Sequence, residues 1–137
     1  MGSARPKRII VHIEAIEDMN ELLNVCREKE IEVGLALNPE TPNMMIEPWI
    51  NAVDLIMFLG VHPGRGGQEF IPEVLEKIKS LRQNFPNVKI ELDGGVRTAN
   101  VNELQKAGVD IFVIGSGILE SPDVGKTIKE LKLKIGN

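Results

Sequence analysis

Five short apolar runs alternate along this chain with stretches whose apolar residues recur at helical spacing. The runs predict strands over Arg8–Ile13, Ile31–Leu37, Leu55–Leu59, Val88–Leu92 and Asp110–Ile114. After the first, Asp18 with Glu21 three residues on makes a capping-box pattern for a helix reaching Cys26. The turn Asn38 to Pro42 leads into a short helix around Met45 to Ile50. Pro72 opens a longer helix whose buried stripe is Val74, Leu75, Ile78, Leu81 and Phe85. Asn100 with Glu103 repeats the capping-box pattern before a helix that Gly108 ends. Ser121-Pro122 starts a last helix carrying Val124, Ile128, Leu131 and Ile135. Unbroken apolar strands, each followed by a helix, predict an α/β fold with a parallel sheet covered on both faces.

Composition narrows the classes of function. At 137 residues and 42% hydrophobic content, the chain is expected to form one α/β domain over 1–137 with a sizeable core. Met1-Gly2-Ser3 reads as a tag remnant, and residues 1–7 as lead-in. A formal net charge of −4 argues against a nucleic-acid surface, and the absence of tyrosine argues against base-stacking platforms. Cys26 falls on the apolar side of its helix, where it packs rather than reacts. Trp49 is likewise read as packing. No apolar run reaches membrane-spanning length and no signal peptide is visible, so no membrane partner and a cytoplasmic location are expected.

Functional groups in parallel α/β folds gather at the C-terminal ends of the strands, which here carry His12, Glu14, Asn38, His62, Asp93 and Ser116. Three of these ends are glycine turns: Gly60 to Gly67, Asp93-Gly94-Gly95 and Gly115-Ser116-Gly117. Converging glycine turns let backbone amides approach a phosphate, and the alternative is that the glycines serve close packing only. Asp93, leaving an apolar strand beside glycines, suits a general base or metal ligand, or else a carboxylate capping its own turn. His12 and Glu14 share strand parity and form a candidate interior polar pair, too few for a metal site alone. His62 either meets a ligand or is simply solvated. Lys126, Lys129, Lys132 and Lys134 make the solvated face of the last helix.

Five stretches, in order and at matching spacing, resemble the C-terminal part of the ribulose-phosphate 3-epimerase family, (β/α)₈ barrels of pentose phosphate metabolism. They are Val11-His12-Ile13-Glu14-Ala15, Gly34 through Pro42, Val61 through Phe70, Leu92-Asp93-Gly94-Gly95-Val96, and Val113 through Ile118. The resemblance implies five βα units of a TIM barrel, the fourth to the eighth. A flavodoxin-like open doubly wound sheet is the alternative arrangement. The resemblance assigns a catalytic acid/base and metal ligand to Asp93, and phosphate contacts to Gly64, Gly66, Gly67, Gly94, Gly95, Gly115 and Ser116. The family's divalent metal (Zn, Fe, Mn or Co) takes its other ligands, like the second acid/base, from the barrel's second and third strands. Neither His12 nor His62 matches such a ligand, so little or no metal is expected to bind this chain alone.

Two residues depart from the family pattern: His62 replaces asparagine, and Arg65 replaces an aromatic residue. The implied partner is phosphate or a pentose phosphate. Two functions are expected to compete: a sugar-phosphate-binding isomerase segment of weak or no turnover, and a non-catalytic scaffold or truncated barrel fragment. A five-strand segment has two open edges and an uncovered apolar inner face, so self-association as a homodimer or larger assembly is expected.

Overall fold

The computed structural model describes residues 7–64, 68–115 and 121–135. Five parallel strands form one sheet in the order of the sequence: β1 (Lys7–His12), β2 (Ile31–Leu37), β3 (Leu55–Leu59), β4 (Ile90–Asp93) and β5 (Ile111–Val113). Helices α1 (Met19–Glu28), α2 (Pro72–Asn84), α3 (Val101–Ala107) and α4 (Val124–Ile135) alternate with them. Sequential order is barrel order. The flavodoxin-like alternative would require the chain to return past its first strand and bring helices to both faces, and it is excluded by this topology.

The helices pack on one face of the sheet, as right-handed crossovers between parallel strands in sequential order require. Leu35, Leu37, Ile56, Phe58, Ile90 and Leu92 bury there in one cluster with Leu23, Cys26, Val74, Ile78, Leu81, Leu104 and Leu131 of the helices. The opposite face holds a separate small cluster, Ala36, Leu55, Met57 and Leu59. The expectation that both faces are covered by helices is therefore corrected: the second face is the inner face of a barrel segment. The further expectation of an apolar inner face open to water holds only at the edges. Ile10 of β1 is 39% exposed and Val113 of β5 is 40% exposed, whereas Met57 and Leu59 in the middle are 8% exposed.

Strand starts are fixed by side chains as well as by hydrophobicity. Asp54 stands just before β3, and its carboxylate accepts from the Val33 amide at 2.7 Å while its own amide donates to the Val33 carbonyl. Asp110 repeats this before β5, accepting from the Ile90 amide at 2.9 Å and donating to the Ile90 carbonyl. Arg82 joins the second of these. It donates to the carbonyls of Pro86, Val88 and Gly108 and to the Asp110 carboxylate, all within 2.6–2.8 Å. Val88, expected as the first residue of β4, is thereby held outside the ladder.

Other local expectations are settled differently from one another. Asp18 caps α1 by accepting from the Glu21 amide at 3.0 Å, as its pattern predicts. Asn100 does not cap α3 with its side chain. It turns back, accepting from the Arg97 amide at 2.8 Å and donating to the Gly95 carbonyl at 2.9 Å. The short helix expected at Met45–Ile50 is two 3₁₀ turns, Asn43–Met45 and Glu47–Ala52. Asp123, not Ser121, begins α4, accepting from the Lys126 amide at 3.0 Å.

Candidate active site at the strand ends

The sheet register sets which side chains share the inner face. His12, Ala36, Met57, Glu91 and Ile111 lie in one row across the five strands. Leu59, Asp93 and Val113 make the next row towards the C-terminal ends. Asp93 therefore stands on the inner face with apolar neighbours on both adjoining strands. Its main chain is occupied, its carbonyl accepting from the Gly60 amide at 2.8 Å. Its carboxylate makes no hydrogen bond among the described residues. The alternative of an aspartate capping its own turn is thus not what the fold builds, because Asn100 closes that turn instead.

One row below, Glu91 is 8% exposed. Burial pushes its carboxyl above the ordinary range; Arg8 opposes this and the neighbouring charge of Asp93 reinforces it. No side chain among the described residues neutralises it by direct contact, since Arg8 is engaged with Glu32 across β1 and β2.

The glycines divide into two groups. A Cβ at Gly60 would lie 2.2 Å from the Gly94 carbonyl oxygen, one at Gly94 would lie 2.7 Å from Val61 Cγ2, and one at Gly95 would lie 2.7 Å from Phe70 Cα. These three pack the turns after β3 and β4 against each other. Gly60, the first residue of its glycine turn, is the tightest of them. Gly64 and Gly115 are different: among the described residues, a Cβ at either would meet nothing within 4 Å. Gly64 adopts φ +89°, Gly94 +104° and Gly95 +78°. Gly66, Gly67 and Ser116, the other expected phosphate contacts, and Arg65 lie outside the described residues.

The other strand-end residues form a polar arc beside these turns. β1 stops at His12, and Glu14 sits in a 3₁₀ turn, so the two do not share a strand as expected. Their side chains nevertheless approach, His12 Nδ1 lying 3.6 Å from Glu14 Oε1. The other Glu14 oxygen accepts from the Asn38 amide at 2.8 Å and the Thr41 hydroxyl at 2.5 Å. Burial would raise this carboxyl, but the Thr41 and Asn38 bonds and the His12 charge outweigh it and hold it below the usual range.

Lys77 of α2 reaches the same loop. Its Nζ donates to the carbonyls of Asn38 and Pro39, each at 3.1 Å, and lies 5.6 Å from the centre of the Phe58 ring. Burial lowers its basicity, with Glu14 and Glu40 opposing. Sequence reading missed Lys77. Its signal was a single lysine at the edge of a buried helical stripe.

The donor set does not make a metal centre by itself. Among the described residues no three His, Cys, Asp or Glu side chains come together to hold an ion. Asp93 is the single ligand the family pattern supplies, and one carboxylate is too few to hold a divalent cation in place.

At the level of family, comparison with known proteins is decisive. Residues 1–119 match the ribulose-phosphate 3 epimerase family. The chain belongs to that family. It is 36% identical over 131 residues to ribulose-phosphate 3-epimerase of Escherichia coli K12, covering 93% of this chain and 58% of that protein. The Schizosaccharomyces pombe enzyme is 35% identical over 121 residues, covering 88% and 53% respectively. The chain therefore spans somewhat more than half the length of these epimerases.

Solved structures agree on the fold. A 3-hexulose-6-phosphate synthase superposes with TM-score 0.71 at 17% identity, covering 94% of this chain and 62% of the other. KGPDC from Streptococcus mutans, in complex with D-R5P, superposes with TM-score 0.67 at 15% identity, covering 95% and 62%. Members of the epimerase family and these neighbours share the βα barrel architecture, and this chain presents five of its units. Among the described residues no helix is long and apolar enough to cross a membrane.

Proposed function

We propose that this chain is the phosphate-holding segment of a pentose-phosphate epimerase site, with Asp93 as its one acid/base. The observation that carries the reading is the Asp93 carboxylate: it stands unbonded among the described residues, on the inner face at a strand end. Gly64 and Gly115, where a Cβ would meet no described atom within 4 Å, follow the two adjoining strands. Epimerisation at the carbon beside a ketose carbonyl needs a base on one face of that carbon and an acid on the other. Asp93 serves one face; Gly64, Gly94, Gly95 and Gly115, with Gly66, Gly67 and Ser116 of the same motifs, hold the phosphate. A second acid/base and the family's divalent cation are needed for full turnover, so activity of this chain alone is weak or nil. Such a protein works in the cytoplasm, where its substrates are.

The test joins binding to chemistry. Pentose phosphate at about 100 times its dissociation constant should stabilise the fold by about 2.7 kcal/mol. Asp93→Asn should retain that stabilisation and lose whatever exchange of the substrate's α-proton with solvent the parent shows. Exchange surviving in Asp93→Asn would remove Asp93 from its role.

A non-catalytic scaffold is the second reading, favoured by the close packing at Gly60, Gly94 and Gly95, which accounts for those glycines without any ligand. Phosphate without effect on stability would select it. On either reading the free edges of β1 and β5, with Ile10 and Val113 exposed, favour a homodimer. Light scattering on a sizing column checks this, and a monomer at all concentrations would refute it.

A further inference from the structure

Among the described residues, sulfur divides sharply between core and surface. Met19 and Cys26 of α1 are 6% and 3% exposed and lie in the cluster beneath the helices. Met57 of β3 is 8% exposed in the cluster on the inner face. Met44 and Met45, by contrast, are 77% and 51% exposed. They take successive positions in the 3₁₀ turn Asn43–Met45, just beyond the loop after β2. Their side chains belong to neither apolar cluster, and the turn is held without them. Asn43 Nδ2 donates to the Lys77 carbonyl at 2.9 Å, and the Met45 main-chain amide donates to the Pro42 carbonyl at 3.1 Å. The next residue, Ile46, is fully buried and anchors the chain there.

We propose that Met44 and Met45 form a reversible oxidation site for hydroperoxides, taking up oxygen while the fold and the strand-end brace stay intact. A sulfur lone pair attacks one peroxide oxygen and the O–O bond breaks. The hydroxide that leaves takes the proton of the transferred hydroxyl and departs as water. Each sulfur is thereby oxidised by two electrons to the sulfoxide, and the peroxide is reduced by two. At Met44 and Met45 the new oxygen forms on a side chain that already meets water. At Met19 or Met57 the same oxygen would enter the core, where a polar group without a partner is costly. The brace from Glu14 and Lys77 onto the loop after β2 uses neither methionine side chain. Exposed sulfoxides are also open to the two reductases, one for each sulfoxide epimer, that return them to methionine. The inference is independent of the phosphate reading.

The test is timed exposure of the full chain to hydrogen peroxide, followed by cleavage after glutamate and tandem mass spectrometry. Cleavage after Glu40 and Glu47 releases 41–47, with both methionines, from the peptide carrying Met57. Met44 and Met45 should convert at least about tenfold faster than Met19 and Met57, whose oxidation waits on local opening. The chain oxidised at both should melt within about 2 °C of the parent, the range of an ordinary surface change. Met44→Gln with Met45→Gln, which places polar groups at both positions, should keep the parent's urea midpoint. Treatment with both reductases should restore the unoxidised mass. Met19 or Met57 reacting as fast as Met44 would overturn the proposal, as would a larger fall in melting temperature or a lowered midpoint in the glutamine variant. Sulfoxide that persists after both reductases would overturn the reversibility.

Discussion

A paired substitution, Gly95→Ala and Gly64→Ala, separates the two uses of glycine at the strand ends. Both residues have positive φ, +78° and +89°, so each variant bears a backbone penalty of roughly 1–2 kcal/mol. Only Gly95 adds a collision. Its new methyl would lie 2.7 Å from Phe70 Cα and 3.0 Å from Phe70 N, main-chain atoms that no side-chain rotation moves aside. Overpacking of this kind costs about 1–3 kcal/mol, so Gly95→Ala should lose about 2–5 kcal/mol in all.

For 137 residues, an unfolding entropy of about 2.1 cal/mol/K per residue converts each kcal/mol into about 3–4 °C of melting temperature. Gly64→Ala should then melt about 4–7 °C below the parent, and Gly95→Ala about 7–17 °C below it. Urea unfolding with a fixed m-value checks the free energies, and differential scanning calorimetry checks the temperatures. Equal losses in the two variants would refute the division of the glycines into packing and open positions. With phosphate present, the order of damage to binding should reverse. Gly64→Ala meets no packed atom among the described residues, and on the proposed reading its methyl would intrude on the phosphate.

Arg82→Met keeps most of the side chain's volume but removes four hydrogen bonds, to the segment before β4, to Gly108 after α3 and to Asp110. It should cost about 2–4 kcal/mol in urea, and a loss under about 0.5 kcal/mol would refute its bracing role. Glu14→Gln tests the acid limb of stability. The Glu14 carboxyl is held below its ordinary range in the folded state, so its contribution is fully present above the unfolded value and is lost as pH falls through the folded one. The parent should therefore exceed the variant in urea midpoint at pH 6, with the gap closing below about pH 4. A gap independent of pH would mean that Glu14 acts only through its shape.

The parts of this fold legible in the sequence are those decided by local pattern. Each strand was found because its residues are mostly apolar, with Glu32 and Glu91 interrupting β2 and β4, as a largely buried parallel strand requires. The strand limits were less legible because partners far along the chain set them. Val88 is apolar and yet outside β4, since Arg82 claims its carbonyl. Asn100 satisfied the letters of a capping box, but the Gly95 carbonyl and Arg97 amide were nearer claims on its side chain. Lys77 and Glu40 were invisible for the same reason. Lys77 binds carbonyls 38 and 39 residues away, and Glu40 meets His62 from a neighbouring βα unit. The place of Asp93 on the inner face at a strand end was legible from its position after an apolar strand and beside glycines. One signal was present but unread: Val53-Asp54 and Val109-Asp110 each stand just before a strand and each bind the preceding strand in the same way.

That repetition shows how the two ends of the sheet divide their work. At the N-terminal ends, Asp54, Asp110 and Arg82 spend charged side chains on main-chain groups, fixing register where no ligand is expected. At the C-terminal ends the main chain is fixed instead by glycine packing at 60, 94 and 95 and by the Glu14–Lys77 brace, which leaves the Asp93 carboxylate unbonded among the described residues. On the proposed reading, a carboxylate fixed by its backbone, with no described hydrogen bond at its oxygens, has its lone pairs available to a substrate proton. On that reading a barrel segment could keep part of a site, because each turn is secured by its immediate βα neighbours. The order of the strand ends from β1 to β5 depends on local contacts, and only the chemistry across the inner face depends on closing the barrel.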